Sequence, residues 1–60
     1  ELTGSSKDGT DQAIRVALAK ANELVANINW FEVVSTRGYV HDGDVAYWQV
    51  TIKVGYTLGT

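Results

Sequence analysis

The stretch from Trp30 to Gly55 holds the side chains whose types and spacing suit chemistry: an indole, a carboxylate and an ammonium, an arginine, a glutamine, and a histidine beside two aspartates. Trp30 lies in Asn29-Trp30-Phe31-Glu32-Val33, where alternation puts Phe31 and Val33 on one side of an extended chain and Trp30 with Glu32 on the other. An indole on the polar side of a half-buried sheet is costly in water, so a neighbouring subunit or a ligand must cover it. Subunit packing is the commoner cover, because tryptophan is enriched at interfaces. A ligand is favoured by two neighbours. Gly55 lets a flat molecule approach the backbone, and Gln49 offers both a donor and an acceptor. A planar heterocycle with one polar edge suits that set, a stacked ring contributing about 1–3 kcal/mol.

The remaining polar residues admit plainer readings. Strict alternation puts Arg37 on the Phe31 side, so it either bends out at a bulge beside Gly38 or lies at the strand's exposed end. Its planar fork would also suit a phosphate or another oxygen pair. Trp48 falls on the apolar side as a core or interface anchor. Glu32 and Lys53 are spaced for a cross-strand ion pair, and no nucleophile accompanies them. His41, Asp42 and Asp44 crowd one turn, which makes a poor metal-ligand set. The chain contains no nucleophile elbow, phosphate loop or dinucleotide fingerprint, so binding rather than enzymatic turnover is expected.

One helix and one hairpin must position these groups. Ile14, Ala17, Leu18, Ala21, Leu24 and Val25 recur at helical spacing through to Ile28, with Thr10 as a candidate cap, an Asp11–Arg15 pair on the first turns, and an end near Asn27 to Asn29. Trp30–Val40 and Val45–Leu58 are rich in β-branched and aromatic residues, and Asp42-Gly43 between them suits a tight turn. That turn sets His41 opposite Asp44, Thr36 opposite Gln49, Glu32 opposite Lys53 and Trp30 opposite Gly55. One face then carries Phe31, Val33, Val50, Ile52, Val54 and Tyr56 toward the helix. Glu1-Leu2-Thr3-Gly4 looks like the tail of an earlier strand, followed by a loop from Gly4 to Gly9. The fold class is α+β, in the order β-α-β-β, an antiparallel sheet packed on one helix.

At 60 residues the chain is a single domain, 1–60, too small for its core alone to supply much stability. It has no cysteine for disulfides and one histidine, which leaves homo-oligomerisation as the stabiliser. A formal net charge of -2 without a basic cluster argues against nucleic acid. No run approaches the ~18 apolar residues of a membrane span, and no basic-then-apolar leader opens the chain, so a cytoplasmic protein that does not enter the membrane is expected.

Taken together, Asn29-Trp30-Phe31-Glu32-Val33, Arg37-Gly38, Trp48-Gln49-Val50 and Lys53-Val54-Gly55-Tyr56 resemble the dodecin family. The likeness extends to Leu2-Thr3-Gly4-Ser5-Ser6, Asp8-Gly9 and Ala13-Ile14, and so runs from Glu1 to about Leu58. The resemblance implies a three-stranded antiparallel sheet partly wrapped around one helix, assembled into a hollow dodecamer. It implies flavin storage and photoprotection, with flavins stacked in pairs at two-fold axes, each against a tryptophan matched here by Trp30. The family's flavin-binding glutamine is matched by Gln49, and the arginine of bacterial members by Arg37. FMN is the flavin expected of a bacterial-type member, with riboflavin as the other candidate, and some bacterial members also hold coenzyme A. The chain departs from certain relatives at Thr57, where they carry arginine, and at its start, where the family's first strand begins several residues earlier and is read here as truncated. Against this stands a ligand-free homo-oligomer in which Trp30 only packs at a subunit interface.

Overall fold

A computed structural model describes residues 1–57 of the chain. They form β1 (Leu2–Ser6), α1 (Thr10–Leu24), β2 (Ile28–His41) and β3 (Asp44–Tyr56). The antiparallel sheet has the order β1-β3-β2, which makes β3 the central strand. The fold class read from the sequence, β-α-β-β with one helix, is the one observed.

The helix lies close to the sheet because both surfaces are small where they meet. Ala13, Ala17 and Ala21 recur every four residues and are fully buried. Opposite them Gly4 pairs with Val50 on β3. A Cβ at Gly4 would collide with the Ala13 carbonyl oxygen and the Ala17 amide nitrogen. Val50 and Ile52 fill the space so created, and Leu2, Ile14, Leu18 and Val54 flank them. Gly4 and Ser5 are therefore strand, not loop, and only Lys7–Gly9 connects β1 to the helix.

The helix ends differ from the expected ones. Gly9 occupies the N-cap position and no side chain caps the helix, so Thr10 is its first residue rather than its cap. The helix stops at Leu24, because Val25 is already extended while its N–H still reaches the Ala21 carbonyl at 2.9 Å. Asn27 then takes the left-handed backbone (φ 62) that asparagine tolerates. The apolar spacing past Leu24 belongs to this turn and to β2. Leu24 itself is 73 % exposed. Asp11 and Arg15 do not close an ion pair; with Ile14, Leu18 and Phe31 they line a groove of about 350 Å³ between the helix and β2.

The hairpin turn is the expected one. Asp42 (φ 52) and Gly43 (φ 79) are both left-handed, and His41 pairs with Asp44. This mirror-image turn matches the twist of the strands it joins. The Asp44 carboxylate accepts from the Val45 N–H at 2.7 Å. Trp30 pairs with Gly55 and Glu32 with Lys53, also as expected. Between these ends the register slips. Val34 on β2 is an extra residue between Val33 and Ser35, and Ala46 on β3 is an extra residue facing the Tyr39–Val40 step. The two bulges cancel, so Thr36 stands opposite Val50 and not Gln49. Leu58, the expected end of the last strand, lies outside the described residues.

Candidate functional site: the polar face of the hairpin

Cross-strand partners project from the same face, so the register assigns every side chain to one side of the sheet. The face turned away from the helix runs from Trp30 over Gly55, through Glu32 with Lys53 and Ser35 with Thr51, to Arg37 with Gln49 and Tyr39 with Tyr47. Strand β1 adds Thr3 beside Thr51 and Ser5 beside Gln49.

At one end stands the indole. The Nε1–Cε2–Cζ2 edge of Trp30 lies over Gly55 so closely that a Cβ there would clash with these atoms. Trp30 is nevertheless 53 % exposed, so the backbone at Gly55 leaves much of the residue open. Beside it the Asn29 side-chain amide donates to the Thr57 hydroxyl, and the Thr57 N–H donates to the Asn27 carbonyl at 3.1 Å. These contacts tie the start of β2 to the end of β3 next to the ring. The Lys53 ammonium meets the Glu32 carboxylate at 3.5 Å, with both side chains more than half exposed. Such a pair fixes register and contributes little else.

Arg37 is placed by the Val34 bulge. The extra residue reverses the inside-outside alternation beyond it, which moves Arg37 from the helix side to the polar face, directly across from Gln49. The bend expected beside Gly38 is therefore located upstream, and it gathers a guanidinium and an amide into one polar pair. Among the described residues Arg37 enters no ion pair.

Tyr39 and Tyr47, which alternation alone does not single out, continue this end of the face. Their rings stack with centroids 4.6 Å apart and planes at 18°. The Tyr39 hydroxyl donates to Gln49 Oε1 at 3.3 Å. Trp48 lies on the opposite side, half-buried and in van der Waals contact distance of the space above Gly38 (3.6 Å). This is the side that alternation gives it.

The three expected binding residues are thus on one face but not around one point. Arg37 and Gln49 are neighbours, whereas Trp30 stands with Gly55, six residues further along β3, roughly 20 Å at ordinary strand rise. His41 and Asp42 sit at the exposed hairpin tip, 3.3 Å apart. Among the described residues no three His, Cys, Asp or Glu side chains converge as a metal site would require. None of the described helices is long and apolar enough to cross a membrane.

The family model of dodecin matches residues 1–59. This chain belongs to the dodecin family. The dodecin of Thermus thermophilus is 40 % identical over 58 residues, which is 97 % of this chain and 84 % of that one. Among solved structures, dodecin from Streptomyces davaonensis superposes with a TM-score of 0.89 at 47 % identity, covering 98 % of this chain and 87 % of that one. Dodecin from Streptomyces coelicolor gives 0.87 at 44 %, covering 98 % and 84 %.

The polar face of this dodecin carries groups that could hold a flat heteroaromatic ligand. An exposed indole seated over a glycine offers a flat apolar surface of the kind that stacks on heterocycles. The Arg37–Gln49 pair offers a fork of donors for oxygens together with an amide for a polar ring edge.

Proposed function

We propose that this dodecin is a non-enzymatic flavin-binding protein that stores the ligand and protects it from light, assembled as a hollow dodecamer. The observation that carries the reading is the half-exposed Trp30 on the polar face, set over a glycine where no side chain can compete for the ring. Trp30 holds the ring system by stacking. Gln49 reads its polar edge, and Arg37 meets its oxygens or a phosphate. Bound flavin supplies a light-absorbing, redox-active ring. Trp30 would set an electron-rich indole against that ring, which is the contact a photoprotective role requires.

The distance between the indole and the Arg37–Gln49 pair supports a site shared between copies. A second copy laid on this face across a two-fold axis brings its own Arg37 and Gln49 toward the first copy's Trp30, and the reverse. Assembly is supported independently by the other face. There Phe31 and Val33 are 43 % and 40 % exposed although they share a side with the buried Val50 and Ile52.

The test is titration of the assembled protein with FMN and with riboflavin, followed by loss of flavin fluorescence. Quenching by the parent and its sharp weakening in Trp30→Ala are expected, and the stronger of the two ligands identifies the preferred flavin. If neither flavin is quenched at micromolar protein, Trp30 only packs against another subunit. If Trp30→Ala binds as the parent does, the assignment of the indole fails.

A further inference from the structure

We infer that Tyr39 is a positioning residue that fixes the side-chain amide of Gln49 and so sets how the site reads the polar edge of its ligand; this rests on the flavin reading above. A glutamine side chain on a sheet surface can present its oxygen or its nitrogen in either direction, and an unrestrained amide pays conformational entropy when a ligand chooses one. Here the amide turns Oε1 toward the Tyr39 hydroxyl. Tyr39 is held by its stack on Tyr47 at 4.6 Å, and its hydroxyl donates to Gln49 Oε1 at 3.3 Å. Across the ladder Arg37 carries only donors, so it cannot accept from the amide nitrogen. Among the described residues no acceptor takes the Nε2 hydrogens.

Gln49 therefore presents Nε2–H outward as a donor. One lone pair of Oε1 remains available beside it, because an amide oxygen has two. A donor next to an acceptor is the complement of a carbonyl next to an N–H, which is the imide edge of an isoalloxazine. The Tyr39 hydroxyl polarises this amide and holds it ready, which favours ligands that keep both the carbonyl and the N–H. The arrangement depends on the Val34 bulge, since that extra residue brings Arg37 and Tyr39 onto the face of Gln49.

The test compares the parent with Tyr39→Phe, which keeps the ring for Tyr47 and removes only the hydroxyl. Riboflavin and 3-methylriboflavin, whose imide N–H is replaced by a methyl group, are titrated into each protein and followed by fluorescence quenching. Assembly state and melting midpoint, which should match the parent's, report separately on folding. Riboflavin should bind roughly three- to tenfold more weakly to Tyr39→Phe, the worth of one neutral hydrogen bond, and its advantage over the methylated ligand should narrow. In a Gln49→Ala background the same change should have no further effect. Equal riboflavin affinity and an equal ligand ratio in parent and Tyr39→Phe would overturn the inference while leaving the flavin reading standing. A Tyr39→Phe effect that persists undiminished without Gln49 would also overturn it, because the hydroxyl would then act directly. A parent that quenches neither flavin removes the reading and the inference together.

Discussion

Val50 and Ile52 on β3 and Phe31 and Val33 on β2 are apolar side chains on the same face of one sheet, yet the first two are fully buried and the second two are about two-fifths exposed. The difference is geometric. A helix of 15 residues lies over β1 and β3, because Gly4 and the alanine stripe let it settle there, and it leaves β2 uncovered. Within the described residues the buried core amounts to Ala13, Ala17, Ala21, Val50 and Ile52. Three of these are alanines, which bury little area, so the chain completes one half of its sheet and leaves the other to be covered from outside. The Cα envelope, 51 × 17 × 14 Å, expresses the same fact as a long hairpin projecting past its helix.

The sharpest way to break that comparison is to cut one side chain from each half. Ile52→Ala opens a cavity in the covered half and should cost about 2–5 kcal/mol, seen as a lower urea midpoint at every protein concentration. Val33→Thr keeps the shape of its side chain and adds a hydroxyl to the uncovered half. Within one chain this exposed change should cost at most ~0.5 kcal/mol, but it should raise the concentration at which the assembly dissociates in sedimentation experiments. An unchanged dissociation concentration would mean that the open half of β2 is not where copies meet.

Gly4→Ala probes the seam between the halves and ranks next. The added methyl group meets backbone on the helix side, not a movable side chain, and helix backbone cannot yield locally. Overpacking of this kind costs about 1–3 kcal/mol, and thermal melting should show it. A melting midpoint equal to the parent's would show that the helix is not seated against β1 as closely as described.

The covered half was largely legible in the sequence, because helical spacing and strand alternation are both consequences of burial on one side. The turn is legible too, since Asp-Gly is one of the few pairs favoured where two consecutive residues must be left-handed. Apolar spacing alone makes the helix too long, because Val25 and Ile28 continue it by coincidence and only the extended backbone at Val25 ends it. The uncovered half was legible at its ends and not in its middle. Two bulges that cancel leave Trp30–Gly55 and His41–Asp44 correctly paired while displacing everything between Ser35 and Tyr39. No residue type announces the Val34 bulge, as valine is an ordinary strand residue. For that reason strict alternation refers Arg37 to the wrong side, sets Thr36 opposite Gln49 and gives no sign of the Tyr39–Gln49 contact.

On the polar side, stability and binding should separate. Trp30→Ala removes a half-exposed ring, so the melting midpoint should move little while flavin binding loses about 1–3 kcal/mol, roughly fivefold to more than a hundredfold in affinity. A variant that loses stability and binding together would show the indole to be structural first.

The smallest effect belongs to Lys53→Ala, which removes the ammonium from Glu32. Both side chains are more than half exposed, so the pair is well screened and should contribute no more than ~0.2–1 kcal/mol at low salt. Added salt should erase the difference from the parent. A loss that survives molar salt would mean that Glu32 and Lys53 are desolvated when the protein assembles, and the polar face of β2 would then be an interface along much of its length. In that case the contrast between the two halves of the sheet would extend to both of its sides, with β2 as the strand through which copies meet.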